Sequence, residues 1–586
     1  MIRTKIICTI GPAVNSLERM IELMKAGMNV ARLNFSHGTH EEYISTIQNL
    51  KEARRHVGIP LAIMLDTKGP EIRLGKIQGG ELYLPATHKW LLVKESVEGS
   101  LQRVSINPGF VLDSLEVGAK VLFNDGYISS KVIEVTPAGV LVQIENSGVL
   151  KSGKGVNMPY HTLNLPAVTE KDIEDIKFGC AQDIDMIAAS FVRSADHVLA
   201  IKEILAAEKK NDITVIAKIE NHEGVENFDS IVQVADGIMV ARGDLGVEVP
   251  ISHVPSLQKM MIRKCCMAGK PVVTATQMLE SMINSPRPTR AEASDVANAI
   301  YDGTSSVMLS GETAVGLYPI ETVNTMQSIV IETEKDFNYR AFFEQHSHLV
   351  YHDVPSAVTL ATVKTAYSSN AQAIFIFTSG GTTARLISRL RPKMPIIAMT
   401  SNEKCFHQLS FIWGVVPYLN KACKTLQEAL AAISTFAMEN KYVTNGDLVV
   451  VTAGSPFGVS GTTNMMMVES IGEVLVRGHE AHGTRIHGNI SMVLTSESKP
   501  AYAVRGSLIV ITRFDDTYLP HLRECAGVIL QNHIDDEESE KYALKEAKKL
   551  SKPIIVRADA ACTVLKEGQL VTLDPEKIIV YKGVVL

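Results

Sequence analysis

Between residues 5 and 337 the sequence alternates short apolar segments with amphipathic segments, and this alternation constrains the fold more than any other feature. Short apolar segments favour buried strands, and the amphipathic segments that follow them favour helices. There are eight predicted strands, and each except the third is followed directly by a predicted helix. Eight such units close a (β/α)8 barrel, so we predict an α/β chain built on that barrel. The predicted strands cover residues 6–11, 29–36, 61–67, 186–191, 215–225, 237–246, 271–277 and 306–311.

Polar side chains collect where the predicted strands end, which is where the active site of such a barrel lies. In the fifth strand Lys218 and Glu220 share one face, whereas Ala217 and Ile219 take the other. Asp244 ends the next strand. A lysine beside two carboxylates can hold Mg²⁺ or Mn²⁺ and neutralise a phosphate or an enolate. Taken alone, a Lys-x-Glu pair is equally compatible with a solvated strand face.

The second and third predicted strands repeat this pattern. Alternation places Arg32, Asn34 and Ser36 on one face of an otherwise apolar strand, which is not expected of core packing. Asp66 and Thr67 end the third strand. This repetition is the main internal argument that these side chains form a functional site.

The rest of the chain departs from the alternation. Residues 74–166 are rich in Val, Gly and turn signals, so we predict an all-β insertion of short antiparallel strands without a helix. The tail combines β-strands with one charged, solvated helix at residues 535–550. The predicted domains are a barrel (1–73 and 167–337), the inserted β domain (74–166), an α/β domain (338–474) and a small β-rich α/β domain (475–586).

Two loops of the α/β domain combine Gly, Ser and Thr after a predicted strand, at residues 378–383 and 453–464. Backbone N–H groups in such loops can cradle a phosphate. Ordinary strand-to-helix turns have the same composition, so the sequence leaves both interpretations open.

Composition argues against several classes of function. A chain of 586 residues predicts three or four domains of about 150 residues each. A net charge of −6 gives no electrostatic argument for binding nucleic acid or an anionic membrane. No apolar run reaches the roughly 18 residues that span a bilayer, and no signal-peptide layout is found. The eight cysteines include no Cys-x-x-Cys pair, which indicates reduced thiols in a cytoplasmic protein, and Cys265 and Cys266 fit helix packing.

Five segments together resemble the signature sequences of pyruvate kinases, in the order of that family. The resemblance covers roughly residues 1–474 and implies a barrel, a mobile β lid inserted after its third strand and a C-terminal regulatory domain. It also implies phosphoryl transfer from phosphoenolpyruvate to ADP, giving pyruvate and ATP, usually in a homotetramer. The segments are Lys218–Val225, Ala241–Gly246, Ala275–Met282, Pro286–Glu292 and Met308–Ala314.

The resemblance also implies catalytic roles. Glu220 and Asp244 bind the Mg²⁺ that holds the carboxylate and enolate of the substrate, and Lys218 stabilises the phosphoryl group in transit. Thr276 and Ser310 belong to a relay through water that protonates the enolate at carbon.

The same resemblance implies binding residues. Arg32 binds the phosphate of the substrate together with Lys218. The substrate carboxylate pocket is lined by Ala241, Arg242, Gly243, Asp244 and Thr276, and the nucleotide contacts are Arg73, Asn34 and Lys154.

A monovalent-cation site follows from the same comparison. Asn34, Ser36, Asp66 and the carbonyl of Thr67 match the K⁺ ligands of the family. The family carries Glu at the position of Glu71 when it requires K⁺, and Lys when a fixed ammonium replaces the ion. We therefore predict that activity depends on K⁺.

The chain departs from the family pattern in the effector loop. Gly380 stands where effector-responsive members often have Ser, and Thr382 where some have Arg. The remaining candidates for a phosphate contact are Thr378, Ser379, Thr382 and Thr383. A sugar phosphate or a nucleoside monophosphate fits this loop, whereas fructose 1,6-bisphosphate is not assured.

Residues 479–586 contain the segments Ala526–Leu530, Lys552–Val556 and Leu565–Asp574. Through these segments they resemble the swivelling phosphohistidine domain of enzymes that use phosphoenolpyruvate. Phosphocarrier members have Thr-Ser-His before a helix, but Tyr542 falls near the position of that histidine. His533 is the nearest histidine, and its flanking residues do not match. We therefore predict a structural or regulatory tail without a phosphohistidine.

Two other functions share part of this pattern. A barrel lyase of the aldolase type also places Glu and Asp on Mg²⁺ and forms an enolate, but it lacks the phosphate contacts of Lys218 and Arg32 and the lid. A non-catalytic scaffold would have lost at least one catalytic residue, and every residue that can be matched is present.

Overall fold

The computed structural model describes residues 2–349, 353–454, 463–497 and 500–585. The chain forms two compact units. One comprises Met1–Val363, Phe375–Lys424 and Thr452–Met465, and the other comprises Lys364–Ile374, Thr425–Val451 and Met466–Leu586. Within the described residues, no helix has both the length and the apolar character required to cross a bilayer.

The first unit contains a closed barrel of eight parallel strands, which confirms the predicted (β/α)8 fold. Each strand pairs with its sequence neighbours, and the eighth pairs with the first. The strands consist almost entirely of fully buried residues, because both of their faces are covered. They are β1 (Lys5–Thr9), β2 (Met28–Asn34), β3 (Ala62–Asp66), β4 (Met186–Ala189), β5 (Thr214–Ile219), β6 (Gly237–Ala241), β7 (Val272–Ala275) and β8 (Ser306–Leu309).

Capping side chains fix where many of the barrel helices begin. Ser16 caps the first helix, and Thr39, Thr169 and Thr289 each form a capping box with an acidic residue three positions on. The helices of the barrel are Leu17–Ala26, His40–Val57, Glu170–Ala181, Ala195–Ala207, His222–Glu226, Phe228–Val234, Arg242–Glu248, Val254–Ala268, Arg290–Tyr301, Gly311–Ala314 and Pro319–Asp336.

Several predicted strands were too long. The sixth ends at Ala241, so Asp244 lies in the first turn of the helix Arg242–Glu248 and not on a strand. The fifth ends at Ile219, because the Asn221 side chain accepts a hydrogen bond from Gly224 N and caps a helix. Each predicted strand includes polar residues that lie just past the last ladder hydrogen bond, where the strand has already ended.

The insertion is a β domain with a seven-stranded and a two-stranded sheet. Two details of the prediction were wrong: Lys89–Val93 pairs in parallel with Arg103–Asn107, and Gly109–Ser114 forms a 3-10 helix. Its core includes Trp90 packed edge-on against Phe123. The strands are Arg73–Leu74, Glu81–Leu84, Lys89–Val93, Arg103–Asn107, Lys120–Phe123, Ile128–Thr136, Gly139–Ile144, Gly148–Lys151 and Val156–Asn157.

The α/β region that follows the barrel alternates helices and strands. The strands are Ala373–Phe377, Ile396–Thr400, Val415–Leu419, Leu448–Gly454 and Thr463–Ser470. The helices are Tyr339–His346, Val354–Ser368, Thr382–Ser388, Glu403–Gln408 and Leu426–Glu439. Most of the predicted phosphate loop at residues 453–464 lies outside the described residues.

The C-terminal region builds an eight-stranded mixed sheet. The prediction of a single helix was wrong, because Leu519–Glu524 and Ala561–Val564 are also helical. The charged helix is Glu537–Lys549, and its small residues Ala543 and Ala547 are buried, so one of its faces packs. The strands, in spatial order, are Val474–Arg477, Ile579–Lys582, Leu570–Asp574, Ile486–Met492, Leu508–Ile511, Gly527–Leu530, Ile554–Val556 and Glu480–His482.

Candidate active site

Two cations and one carboxylate form a buried network at the C-terminal ends of β2, β3 and β5. Arg32 Nε donates to Asp66 Oδ2 at 2.5 Å, and Lys218 Nζ donates to Asp66 Oδ1 at 3.0 Å. Burial alone would raise the pKa of Asp66, but Arg32 and Lys218 lower it below its usual value. Asp66 is therefore ionised at neutral pH and holds both cations in fixed positions.

Lys218 stays charged although it is buried. Burial alone would lower its pKa, but the carboxylates of Asp66 and Glu220 outweigh burial and raise the pKa above its usual value. The distance from Lys218 Nζ to Glu220 Oε1 is 3.0 Å. The barrel therefore presents a permanent ammonium at the end of β5.

Ser190 joins this network and was not among the predicted site residues. Its hydroxyl donates to the Thr67 carbonyl at 2.6 Å and accepts from Lys218 Nζ at 2.7 Å. Ser190 directly follows β4. The rule that polar residues at strand ends form the site could have identified it. Thr9, at the end of β1, was missed in the same way and accepts from Arg32 Nη1 at 2.9 Å.

Glu220 and Asp244 form the predicted pair of carboxylates. Burial raises the pKa of Glu220 to about 7; Lys218 opposes this shift, and the charge of Asp244 adds to it. Partial desolvation by the surrounding protein likewise raises the pKa of Asp244, although its side chain is exposed at the surface. The charge of Asp244 disfavours the charge of the buried Glu220, and a cation placed between the oxygens of the two carboxylates would relieve this repulsion. This pair therefore fits a divalent metal.

The number of protein ligands also bears on which metal fits. No group of three or more His, Cys, Asp or Glu in the described part of the chain is arranged to hold a metal. Mg²⁺ is commonly bound through only one or two carboxylates, with water and substrate oxygens completing its shell. The pair thus suits Mg²⁺ shared with a substrate, rather than a metal held by protein alone.

The segment after β7 is held in an unusual backbone conformation. Thr276 has φ +67°, which is rare for a β-branched residue. Its hydroxyl accepts from Gly243 N at 2.8 Å, and its carbonyl accepts from Arg242 Nη2 at 2.7 Å. The Arg242 guanidinium also bonds Asp295 at 2.7 Å. Arg242 therefore supports the Thr276 segment with its side chain.

Ser310 is fixed by a neighbouring carboxylate. Glu312 is fully buried, and its two oxygens accept from Ser310 N at 2.7 Å and from Leu279 N at 3.2 Å. These bonds tie the loop after β8 to the loop after β7, which contains Thr276. No side-chain bond between Thr276 and Ser310 is present.

The four predicted K⁺ ligands lie at the ends of two adjacent strands. Asn34 pairs with Asp66 in the register of β2 and β3, Thr67 directly follows Asp66, and Ser36 lies two residues after Asn34. Asn34 Oδ1 accepts from Ser36 N at 3.3 Å. Their oxygens are the hard ligands that alkali cations prefer, and Asp66 supplies a negative charge.

The predicted nucleotide residues Arg73 and Lys154 lie at the base of the insertion. Arg73 Nε donates to Glu71 Oε2 at 2.7 Å, and Arg73 Nη1 donates to the Gly153 carbonyl at 2.8 Å. The carbonyl of Lys154 accepts from Leu74 N. Asn34, the third predicted nucleotide contact, lies instead at the end of β2.

The predicted effector residues lie in the α/β region. Thr382 and Thr383 begin the helix Thr382–Ser388, and Thr378 Oγ1 accepts from Gly381 N at 2.9 Å. The hydroxyls of Thr383 and Thr463 are 2.6 Å apart. The hydroxyls of Thr378, Thr382 and Thr383 therefore already have protein partners.

A cavity of about 280 Å³ lies between the insertion and the barrel. Asp244 and Glu71 border it on the side of the site just described, and Asn157, Tyr160 and Glu248 line other parts of it. Its volume suits a small organic molecule.

Two family models match the chain. The model described as pyruvate kinase, barrel domain, matches residues 1–323, and the model described as pyruvate kinase, alpha/beta domain, matches residues 356–469. The chain belongs to the pyruvate kinase family. Members of this family are phosphotransferases, as the sequence motifs predicted.

Curated pyruvate kinases resemble the chain over its whole length. The pyruvate kinase of Geobacillus stearothermophilus is 44% identical over 587 aligned residues, which cover 99% of this chain and 99% of that protein. The pyruvate kinase of Staphylococcus haemolyticus is 42% identical and covers 100% of this chain and 99% of its own length. The alignments therefore include the C-terminal region.

A solved structure of a pyruvate kinase from Cryptosporidium parvum matches with a TM-score of 0.77 and 39% identity, covering 80% of this chain and 96% of that chain. The match supports the pyruvate kinase architecture of a barrel followed by an α/β domain.

Proposed function

We propose that this protein transfers the phosphoryl group of phosphoenolpyruvate to ADP and releases pyruvate and ATP. The observation that carries the proposal is the buried network of Arg32, Asp66 and Lys218 beside the Glu220–Asp244 pair. Phosphoryl transfer requires mainly positioning and charge neutralisation, and this arrangement supplies fixed cations together with a place for a metal.

In this proposal Lys218 and Arg32 neutralise the phosphoryl oxygens. Asp66 fixes both cations before the substrate arrives, so little reorganisation is required during the reaction. Because the pKa of Lys218 is raised, its ammonium keeps its proton and acts as a positive charge and hydrogen-bond donor, not as a base.

We propose that Glu220 and Asp244 hold Mg²⁺ or Mn²⁺. The metal would neutralise negative charge on the oxygens of the substrate when bound. The protein groups orient the substrate carboxylate: Ala241, Arg242 and Gly243 form the turn from β6 into the helix that carries Asp244. Gly243 N is already bonded to Thr276 Oγ1, which fixes the wall of this pocket.

The product requires a proton on carbon. We propose that the hydroxyls of Thr276 and Ser310 carry it through water, since the buried carboxylate of Glu312 positions both of their loops. We further propose a K⁺ ion at Asn34, Ser36, Asp66 and the Thr67 carbonyl. Nucleotide binding would use Arg73, Lys154 and Asn34.

The proposed domains are the barrel (1–73 and 167–337), the β lid (74–166), the regulatory domain (338–474) and the swivelling-like tail (475–586). We propose that the tail carries no phosphohistidine, and that Thr378, Ser379, Thr382 and Thr383 contact a phosphorylated effector. We also propose a homotetramer in the cytoplasm.

The test is pyruvate formation from phosphoenolpyruvate and ADP, read as NADH loss through lactate dehydrogenase. The proposal predicts activity only when both Mg²⁺ and K⁺ are present. Activity with Mg²⁺ alone would overturn the K⁺ site and leave the kinase intact. A protein that stayed inactive with both ions, and after a screen of phosphorylated effectors, would contradict the proposed reaction.

A further inference from the structure

The insertion contacts the short helix that carries Asp244 through residues near its own base. Asn157 Nδ2, on the last strand of the insertion, donates to Glu248 Oε1 at 2.7 Å. A Cβ added at Gly126 would lie 3.5 Å from Val247 Cγ1, so the turn at that glycine packs against the same helix. The charge of Asp125, in this turn, also contributes to the raised pKa of Asp244.

This helix is short, and its first turn is fixed by the side-chain bonds of Arg242 and by the bond from Gly243 N to Thr276 Oγ1. It covers only Arg242–Glu248, and Leu245 is its one buried residue. Asp244 and Glu248 are four residues apart, so they lie on the same face of the helix. A bond that holds Glu248 therefore restrains the last turn of the helix, one turn beyond Asp244.

A second attachment holds the insertion at its base. The guanidinium of Arg193 donates to three carbonyls of the exit linker, those of Leu163, Leu165 and Pro166, at 3.0, 2.6 and 3.0 Å. Arg193 is buried, and its backbone carbonyl is bonded by Asn227 Nδ2 at 2.9 Å. The linker is thus fixed to the barrel independently of the bond between Asn157 and Glu248.

We propose that the Asn157–Glu248 hydrogen bond is a latch that couples the position of the β insertion to the position of the Asp244 carboxylate. Glu248 and Asn157 are positioning residues, since neither is placed here on the substrate or the metal. In this structure the latch ties the insertion to the helix that carries Asp244, and breaking the bond would remove this restraint. The inference rests on the proposed metal role of Asp244.

The alternative is that the bond merely adds stability to the lid–barrel contact. Experiment can separate the two explanations. Loss of a latch raises the metal concentration that the reaction needs, whereas loss of a purely stabilising contact changes only the melting temperature. A hydrogen bond to a carboxylate in a partly desolvated place is among the stronger kinds. We expect loss of the latch to raise the Mn²⁺ concentration for half-maximal activity about tenfold.

The experiment compares Asn157→Ala, Glu248→Ala and the double variant in the full-length protein, titrated with Mn²⁺ in the pyruvate assay. Glu248→Gln is the conservative variant, because its amide oxygen still accepts from Asn157. Asn146→Ala is the matched control: its Nδ2 donates to the Tyr127 carbonyl at 2.8 Å within the insertion and does not touch the barrel.

The latch predicts that both alanine variants show the tenfold shift, that the double variant shifts no further, and that Glu248→Gln and Asn146→Ala stay within about twofold of the unmodified protein. Non-additivity of this kind is what a directly interacting pair gives. The latch would be overturned if Asn157→Ala and Asn146→Ala needed the same Mn²⁺ concentration for half-maximal activity. It would also be overturned if the shifts of the two alanine variants added up in the double variant. An inactive unmodified protein would instead indicate failure of the proposed reaction.

Discussion

Replacing Ser190 with Ala removes one hydroxyl from the centre of the proposed site. This hydroxyl accepts from Lys218 Nζ at 2.7 Å and donates to the Thr67 carbonyl at 2.6 Å. A hydrogen bond to a charged group contributes about 1.5–3 kcal/mol, and one between neutral groups about 1 kcal/mol. Without the hydroxyl, Lys218 keeps Asp66 and Glu220 as partners, but its ammonium can shift toward either carboxylate. We therefore expect transition-state stabilisation to fall by about 2–3 kcal/mol.

That loss corresponds to a decrease of roughly 30- to 150-fold in kcat/KM for phosphoenolpyruvate. The coupled pyruvate assay measures it, and a thermal melt of each protein checks that folding is retained. Ser45→Ala is the control, since Ser45 bonds only a carbonyl of its own helix on the surface. A Ser190→Ala protein within threefold of the unmodified one would refute the argument that Ser190 positions Lys218.

Three further predictions concern the metal, the monovalent cation and the tail. Burial raises the pKa of Glu220 from 4.5 to about 7. The destabilisation by its buried charge is therefore complete above about pH 7 and absent below about pH 4.5. Without metal, the melting temperature of Glu220→Gln should rise relative to that of the unmodified protein between about pH 5 and pH 8, and a difference that stays constant over this range would contradict the prediction. Glu71→Lys should be active without K⁺, because a fixed ammonium would replace the ion; continued dependence on K⁺ in the same assay would count against the proposed cation site. After incubation with radiolabelled phosphoenolpyruvate, residues 475–586 should carry no acid-labile phosphate at His533 or elsewhere, and finding such phosphate would reverse our view of the tail.

Much of the fold was predictable because the local patterns agree with the tertiary structure. Buried parallel strands are almost purely apolar, so each of the eight appears in the sequence as a short hydrophobic run. The helices that follow begin at recognisable capping residues such as Ser16 and Thr39. Strand ends were less predictable. Asp244 was placed on a strand because nothing in Ala-Arg-Gly-Asp marks where the ladder stops, and its helix is set by tertiary contacts.

The site was partly predictable for a similar reason. Strand-end position and alternation found Lys218, Glu220 and Arg32, since in a barrel these features place side chains at one rim. They could not show that Asp66 bonds both cations, because that depends on register between strands distant in sequence. Ser190 was missed. The contact between Asn157 and Glu248 joins residues 91 positions apart in the chain, and the sequence holds no local signal for it.

The most direct test of the account is the rate of ATP formation from phosphoenolpyruvate and ADP by Lys218→Met, with Mg²⁺ and K⁺ present. Removing one preorganised group that stabilises transition-state charge typically costs about 10²- to 10³-fold in kcat. Lys25→Met, at an exposed position in the helix Leu17–Ala26, is the matched control. The account predicts a loss of at least about 100-fold for Lys218→Met in a folded protein and an unchanged rate for Lys25→Met. A folded Lys218→Met protein that retained a tenth or more of the activity would contradict the central role given to this lysine.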